Sequence, residues 1–248
     1  MPFLAITRLT LRQFLRSRSL LVVVAIGFFP VIFAILPHLR GNDIDLRNLR
    51  RVLSNAIYLD LFAGTLLPLA TLVLSTSALG DEIEDKTLQY LTLKPVARLQ
   101  IVLAKFVAIL IVTVPIILAG LIATWAVASW GRFDDMSDML SPMLVGAVVG
   151  VLGFGAIFLL VSLFIQRALL VGIFYVFIWE TALSRYLPGI RSFSIRHYTQ
   201  STFVRLVDDR AIRLDGVAAL STIWITIAAV VLVCLALATW RLRSMNLE

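Results

Sequence analysis

Charge is what this sequence of 248 residues has little of: 15% of its residues are Asp, Glu, Lys or Arg, against about 25% in ordinary soluble domains. Hydrophobic residues make up 60% and the mean hydropathy is +0.97, so the composition places the chain in a membrane. Cysteine is reduced to Cys234, which excludes an intrachain disulfide and any cysteine metal site. It lies in an apolar run and reads as a small buried thiol. Histidine is limited to His38 and His197, both in segments between apolar runs, and no His, Cys and carboxylate set has ligand spacing. Neither a metal centre nor an intramembrane serine protease is predicted. The Gly-x-x-x-x-Gly-Lys-Ser/Thr phosphate loop is also missing, so the chain does not bind and hydrolyse ATP in the P-loop manner.

Ion-coupled carriers and proton pumps keep ionisable relays at membrane depth. Here Glu180 is the one strong candidate inside an apolar run, with Asp60 and Lys105 at run edges. Glu180 lines a polar path or pairs with Arg185 or Arg191. The expectation is a non-catalytic scaffold with no cofactor and no energy source of its own. The net charge of +7 raises the question of nucleic acid. The basic residues lie between apolar runs, however, which fits helix ends at a lipid surface.

What is present reads as one all-α membrane domain over 1–248. Six spans are predicted at about 20–36, 59–79, 100–129, 142–165, 168–187 and 217–240. Before the first, residues 3–18 form an amphipathic helix. Arg8, Arg12 and Arg16 recur on one face, and Phe3, Leu4, Leu11, Phe14 and Leu15 gather on the other. It lies in the membrane interface, or its arginines anchor the first span. Residues 37–58 are expected as a polar loop and 130–141 as an acidic one. Residues 188–216, carrying Phe193, Tyr198, Phe203, Val204 and Val207, are expected as short surface helices. Gly146 and Gly150 form a small-x-x-x-small pair, either ordinary packing or a dimer seam. Thr71 and Ser75 of the second span and Thr222 and Thr226 of the sixth line a path or bond their own helix backbone. If the termini are cytoplasmic, inner segments hold 11 of the 22 basic residues, a tie. The four arginines ahead of the first span break it toward cytoplasmic ends in a cell membrane.

Between the second and third spans lies the most distinctive stretch, Gly80 to Lys105. Asp81, Glu82, Glu84 and Asp85 lead into Lys86, Thr87, Leu88 and Leu91, and Pro95 ends the run. It reads as a short surface helix with acids in its first turn, where the dipole favours them. The pattern Glu82, Glu84, Thr87, Leu88, Leu91, Pro95, Val96, Arg98 and Lys105 resembles the signature region of ABC-2-type transporter permeases. Lys86 and Lys94 depart from that pattern. The resemblance implies a cytoplasmic coupling helix (Glu82, Glu84, Thr87, Leu88, Leu91, Pro95, Arg98) docking on a separate ABC ATP-binding subunit that carries ATP and Mg. It implies two permease copies, the N-terminal helix as a second contact, and an exporter. An alternative is a mechanical-transmission or assembly subunit acting on an outer partner through 188–216.

Overall fold

In the computed structural model the described residues are 2–39, 45–84, 96–183, 188–207, 209, 212, 214 and 216–244, and helices are their regular structure, with no strand among them. Helix α1 (Pro2–Arg16) is separated from α2 (Arg18–Leu39) by Ser17. The Ser17 hydroxyl accepts the Ser19 N–H at 3.1 Å and so caps α2. Next, α3 (Leu46–Arg51), a π-helical stretch (Val52–Leu66) and α4 (Leu67–Glu84) run on as one continuous helix. Helices α5 (Arg98–Ala128) and α6 (Phe133–Phe164) follow, joined by a tight turn with Gly131 at φ 80°. Helix α7 (Ala168–Phe174) passes into a second π-helical stretch (Tyr175–Leu183), then come a 3-10 turn (Pro188–Phe193), α8 (Ile195–Val207) and α9 (Leu220–Ser244).

Among the described residues five helices are long and apolar enough to cross a bilayer: Arg18–Leu36, Leu46–Gly80, Arg98–Ala128, Phe133–Phe164 and Leu220–Ser244. The apolar segment Ala168–Glu180 is shorter. Pro115 and Pro142 lie inside α5 and α6 without ending them, as packed apolar helices tolerate.

Three expected connections differ. The loop expected over 37–58 is helical from Leu46. The acidic segment begins α6 at Phe133, with Asp134 and Asp135 in the first turn, where they complement the helix dipole. Within 188–216, the run Ser194–Phe203 is buried, so most of α8 is internal and not on the surface, while Phe193 before it and Arg205 and Leu206 at its end are exposed.

Helix α6 is the hub, with α4, α5, α8 and α9 all packed on it. Its glycines make the groove that α8 fills. A Cβ on Gly150 would come within 2.8 Å of Thr199 Oγ1, and one on Gly153 within 2.7 Å of Ile195. The Gly146–Gly150 pair therefore serves packing within the chain. A second close approach joins α2 to α5, where a Cβ on Gly120 would overlap the Gly27 carbonyl.

These contacts set two opposite expectations for glycine-to-alanine changes. At Gly155 the added methyl meets only side chains at 3.5 Å or more, and the gain in helix propensity is worth up to ~1 kcal/mol. At Gly120 it meets backbone, and overpacking costs about 1–3 kcal/mol. Thermal unfolding of the detergent-solubilised protein should show Gly120→Ala lowered by several degrees and Gly155→Ala unchanged or raised.

Candidate functional site

The described features fall into an acidic helix end, a buried polar cluster and the N-terminal helix. At the first, Asp81, Glu82 and Glu84 occupy the last turn of α4. They continue the helix of the second span and do not open a helix of their own, so the expected first-turn placement is corrected. Residues 85–95, with Thr87, Leu88, Leu91 and Pro95, lie outside the described residues. Arg98, after the N-cap Ala97, is the first residue of α5, and its Nη1 is buried without a hydrogen-bond partner among the described residues. Lys105, two turns further on, is fully buried.

The second feature centres on Glu180, in the π-helical continuation of α7 and fully buried. Its carboxylate accepts the Tyr175 hydroxyl at 2.9 Å, the Ser194 hydroxyl, and the main-chain N–H groups of Ile195 and Arg196 at 3.2 and 3.3 Å. Ser194 also accepts the His197 N–H at 3.2 Å. Together Glu180 and Ser194 satisfy three of the four N–H groups that a helix start leaves open. Capping by a carboxylate adds charge-assisted bonds and a favourable dipole interaction. This is where the structure takes Glu180, which the sequence set between a path and a pairing with Arg185 or Arg191; Arg185 is outside the described residues.

The same cap organises a wider polar set. Arg196 donates to the Glu180 carbonyl at 3.4 Å and to Asp60 at 3.5 Å. Its guanidinium rests on Gly64, where a Cβ would come within 2.9 Å of it. Gln200 Nε2 donates to the Leu59 carbonyl at 2.8 Å, and the Tyr58 hydroxyl to the Met143 carbonyl at 3.0 Å. The two π-helical stretches pack together, and their wider turns bracket α8, a common placement for such turns at working sites. Pro68 helps account for the first: it has no N–H for the carbonyl four residues back, so the regular ladder is broken there.

The depth of this cluster follows from α6. Ile195 packs at Gly153, the midpoint of the apolar stretch 142–164, about 16 Å from either end at ~1.5 Å per residue. The sequence reading missed α8 because its residues are polar. One signal was available: the run of hydroxyls Ser194, Thr199, Ser201 and Thr202, together with glycines at 146, 150 and 153 on an apolar helix, two of which meet Thr199.

The other sequence candidates are not gathered at one place. Thr71 is buried and donates to the Leu67 carbonyl at 2.8 Å, bonding its own helix. Ser75 is buried and its hydroxyl lacks a described partner. On α9, Thr222 is exposed and Thr226 half-buried. In α1, Arg8, Arg12 and Arg16 are exposed while Ile6, Thr7, Thr10 and Phe14 are buried in the packing against α5. Leu4 and Leu15, expected opposite the arginines, lie beside them and are 62% and 68% exposed. An exposed face mixing arginine with leucine suits a lipid interface. No group of three or more metal-ligating side chains occurs among the described residues.

Faces of α2 and α9 expose Leu21, Phe29, Ile32, Trp224, Ile225 and Leu232, an apolar surface too large for a water-soluble monomer. With five helices of spanning length, these faces define a multi-pass membrane protein. Residues 4–247 match the model of the ABC-2 family of transporter proteins, and the chain belongs to that family. It is thus a transporter permease, a membrane subunit of the kind that associates with an ABC ATP-binding subunit. No curated protein matches it.

The Glu180 cap has a direct test. Each buried group left without a partner costs about 1–3 kcal/mol, and Glu180→Ala strands four donors. Hydrogen exchange at the amides of Ile195 and Arg196 should accelerate at least tenfold in that variant. Glu180→Gln, which keeps one acceptor oxygen, should fall between it and the wild type. Wild-type exchange in Glu180→Ala would show that α8 holds without the cap.

Proposed function

We propose that this chain is the permease of an ATP-driven exporter, crossing the cell membrane six times with both termini in the cytoplasm. The sixth crossing is the short one. Helix α7 and its π-helical continuation, residues 168–183, reach at most about 24 Å at ~1.5 Å per residue, short of the ~30 Å hydrocarbon layer. Helix α8 dips into that layer and fills what the short span leaves.

One observation carries the coupling role: the family match over residues 4–247 takes in the stretch Glu82 to Lys105, whose pattern resembles the family's signature region. Arg98 adds to it: it opens α5, where the helix dipole disfavours a cation, and its Nη1 is buried without a partner among the described residues. A partner groove of complementary charge relieves both on docking. The segment 82–98 is therefore assigned as the coupling helix, with Glu82, Glu84, Thr87, Leu88, Leu91, Pro95 and Arg98 meeting the ATPase, which holds ATP and Mg. The exposed arginines of α1 lie at the same membrane face. A second permease copy completes the assembly, with lipid covering the remaining apolar faces.

The buried state of α8 also bears on the mechanical-transmission alternative. With Ser194–Phe203 enclosed, the middle of 188–216 does not serve as a surface for an outer partner, which favours transport. Co-expression with its ATPase provides the test. Glu84→Lys and Leu91→Asp should each reduce permease-stimulated ATP hydrolysis about tenfold while leaving the permease folded. Full stimulation and full transport in both variants would remove the coupling assignment.

A further inference from the structure

At the opposite end of the long helix from its acids, the structure holds a second charged arrangement. A cavity of about 340 Å³ is lined by Arg47, Arg50 and Arg51 of α3 with Asp209 and Ile212. Arg50 is fixed. It grips Asp138 through both guanidinium ends at 3.0 and 2.6 Å, donates to the Asp135 carbonyl at 2.7 Å and reaches Asp209 at 3.4 Å. Those bonds tie α3 to the start of α6 and to the connection before α9, so the cavity wall is rigid. Arg47 and Arg51 are different: both are exposed, and neither makes a side-chain hydrogen bond or ion pair among the described residues. They stand four residues apart on a helix, where like charges face each other and repel.

Among the described residues the lining brings three guanidinium groups together with the Asp209 carboxylate, and Asp138 and Asp209 are both engaged by Arg50. The positive-inside tendency does not account for these arginines, because α3 lies at the end of the bundle away from α1 and the start of α2. Guanidinium forks match the paired oxygens of phosphate, and a phosphate monoester carries −1.5 to −2 charge. The level of the cavity fits as well. Asp138, bonded to Arg50, is four residues before Pro142, where the apolar part of α6 begins. That is about 6 Å outside the hydrocarbon, within the ~5–8 Å headgroup layer.

We infer that the cavity at Arg47, Arg50 and Arg51 is a binding site for a phosphate group, with Arg47 and Arg51 as its forked donors and Arg50 as the fixed wall. The inference stands apart from the coupling assignment, since it rests on the other end of the molecule. The phosphate belongs to a lipid headgroup or to a free phosphorylated compound, and the experiment separates the two. Pyrophosphate binding to the full-length protein in detergent is measured by calorimetry. In parallel, the thermal midpoint is compared in nanodiscs of phosphatidylcholine with and without phosphatidic acid.

Arg47→Gln/Arg51→Gln should weaken pyrophosphate binding at least tenfold and abolish the phosphatidic acid shift. Arg47→Lys/Arg51→Lys keeps charge without the fork and should be intermediate, which also guards against a folding defect in the first variant. Binding of pyrophosphate that depends on the arginines indicates a free phosphorylated ligand. An arginine-dependent shift with phosphatidic acid alone indicates a lipid headgroup. No response to either probe, or responses undiminished in Arg47→Gln/Arg51→Gln, would overturn the site.

Discussion

A carboxylate buried level with the middle of an apolar helix is tolerable only if its oxygens are met by donors, and the donors for Glu180 are largely the start of α8. The dependence runs both ways. Helix α8 carries Arg196, His197, Thr199, Gln200, Ser201 and Thr202 in its buried run, and its first N–H groups would be orphans in an apolar surround. Glu180 and Ser194 remove that penalty. The remaining polar groups are absorbed locally: Thr199 and Thr202 bond carbonyls one turn back, Gln200 takes Leu59, and Arg196 reaches Asp60. Once α8 is held inside, α6 must present glycines to it. The two helices beside it open into π turns around it.

The same reasoning separates what was legible from what was not. The long spans could be read because apolar length alone marks them, and α2, α5, α6 and α9 fall close to their expected ranges. The motif around Glu82 to Lys105 was legible as a resemblance, and the family match over 4–247 bears it out. Helix α8 was not legible, because hydropathy counts polar side chains as exposed when they are instead paired internally. Nor was the environment of Glu180: the sequence draws attention to charged neighbours, whereas two of its described donors are backbone N–H groups that no residue type announces. The placement of Asp81, Glu82 and Glu84 failed for another reason. Gly80 reads as a boundary, yet the α4 helix passes through it, since packing on α2 and α6 outweighs a penalty of about 1 kcal/mol for one glycine.

The continuity of residues 46–84 gives these separate features a common frame. One helix carries the arginine-lined cavity at its start, the contacts to α8 at Tyr58, Leu59, Asp60 and Gly64 in its middle, and the acids at its end. A packed helix transmits displacement along its axis because its backbone bonds resist stretching. Coupling between distant sites needs such a contiguous element with more than one arrangement. The π-helical stretch is where this one is least regular, and it is also where it touches α8 and the second π-helical stretch. A displacement of this helix along its axis shifts Gly64 against Arg196 or draws α7 along through Glu180. Since the Glu180 cap makes it costly to part α7 from α8, the two are held as one body against the long helix.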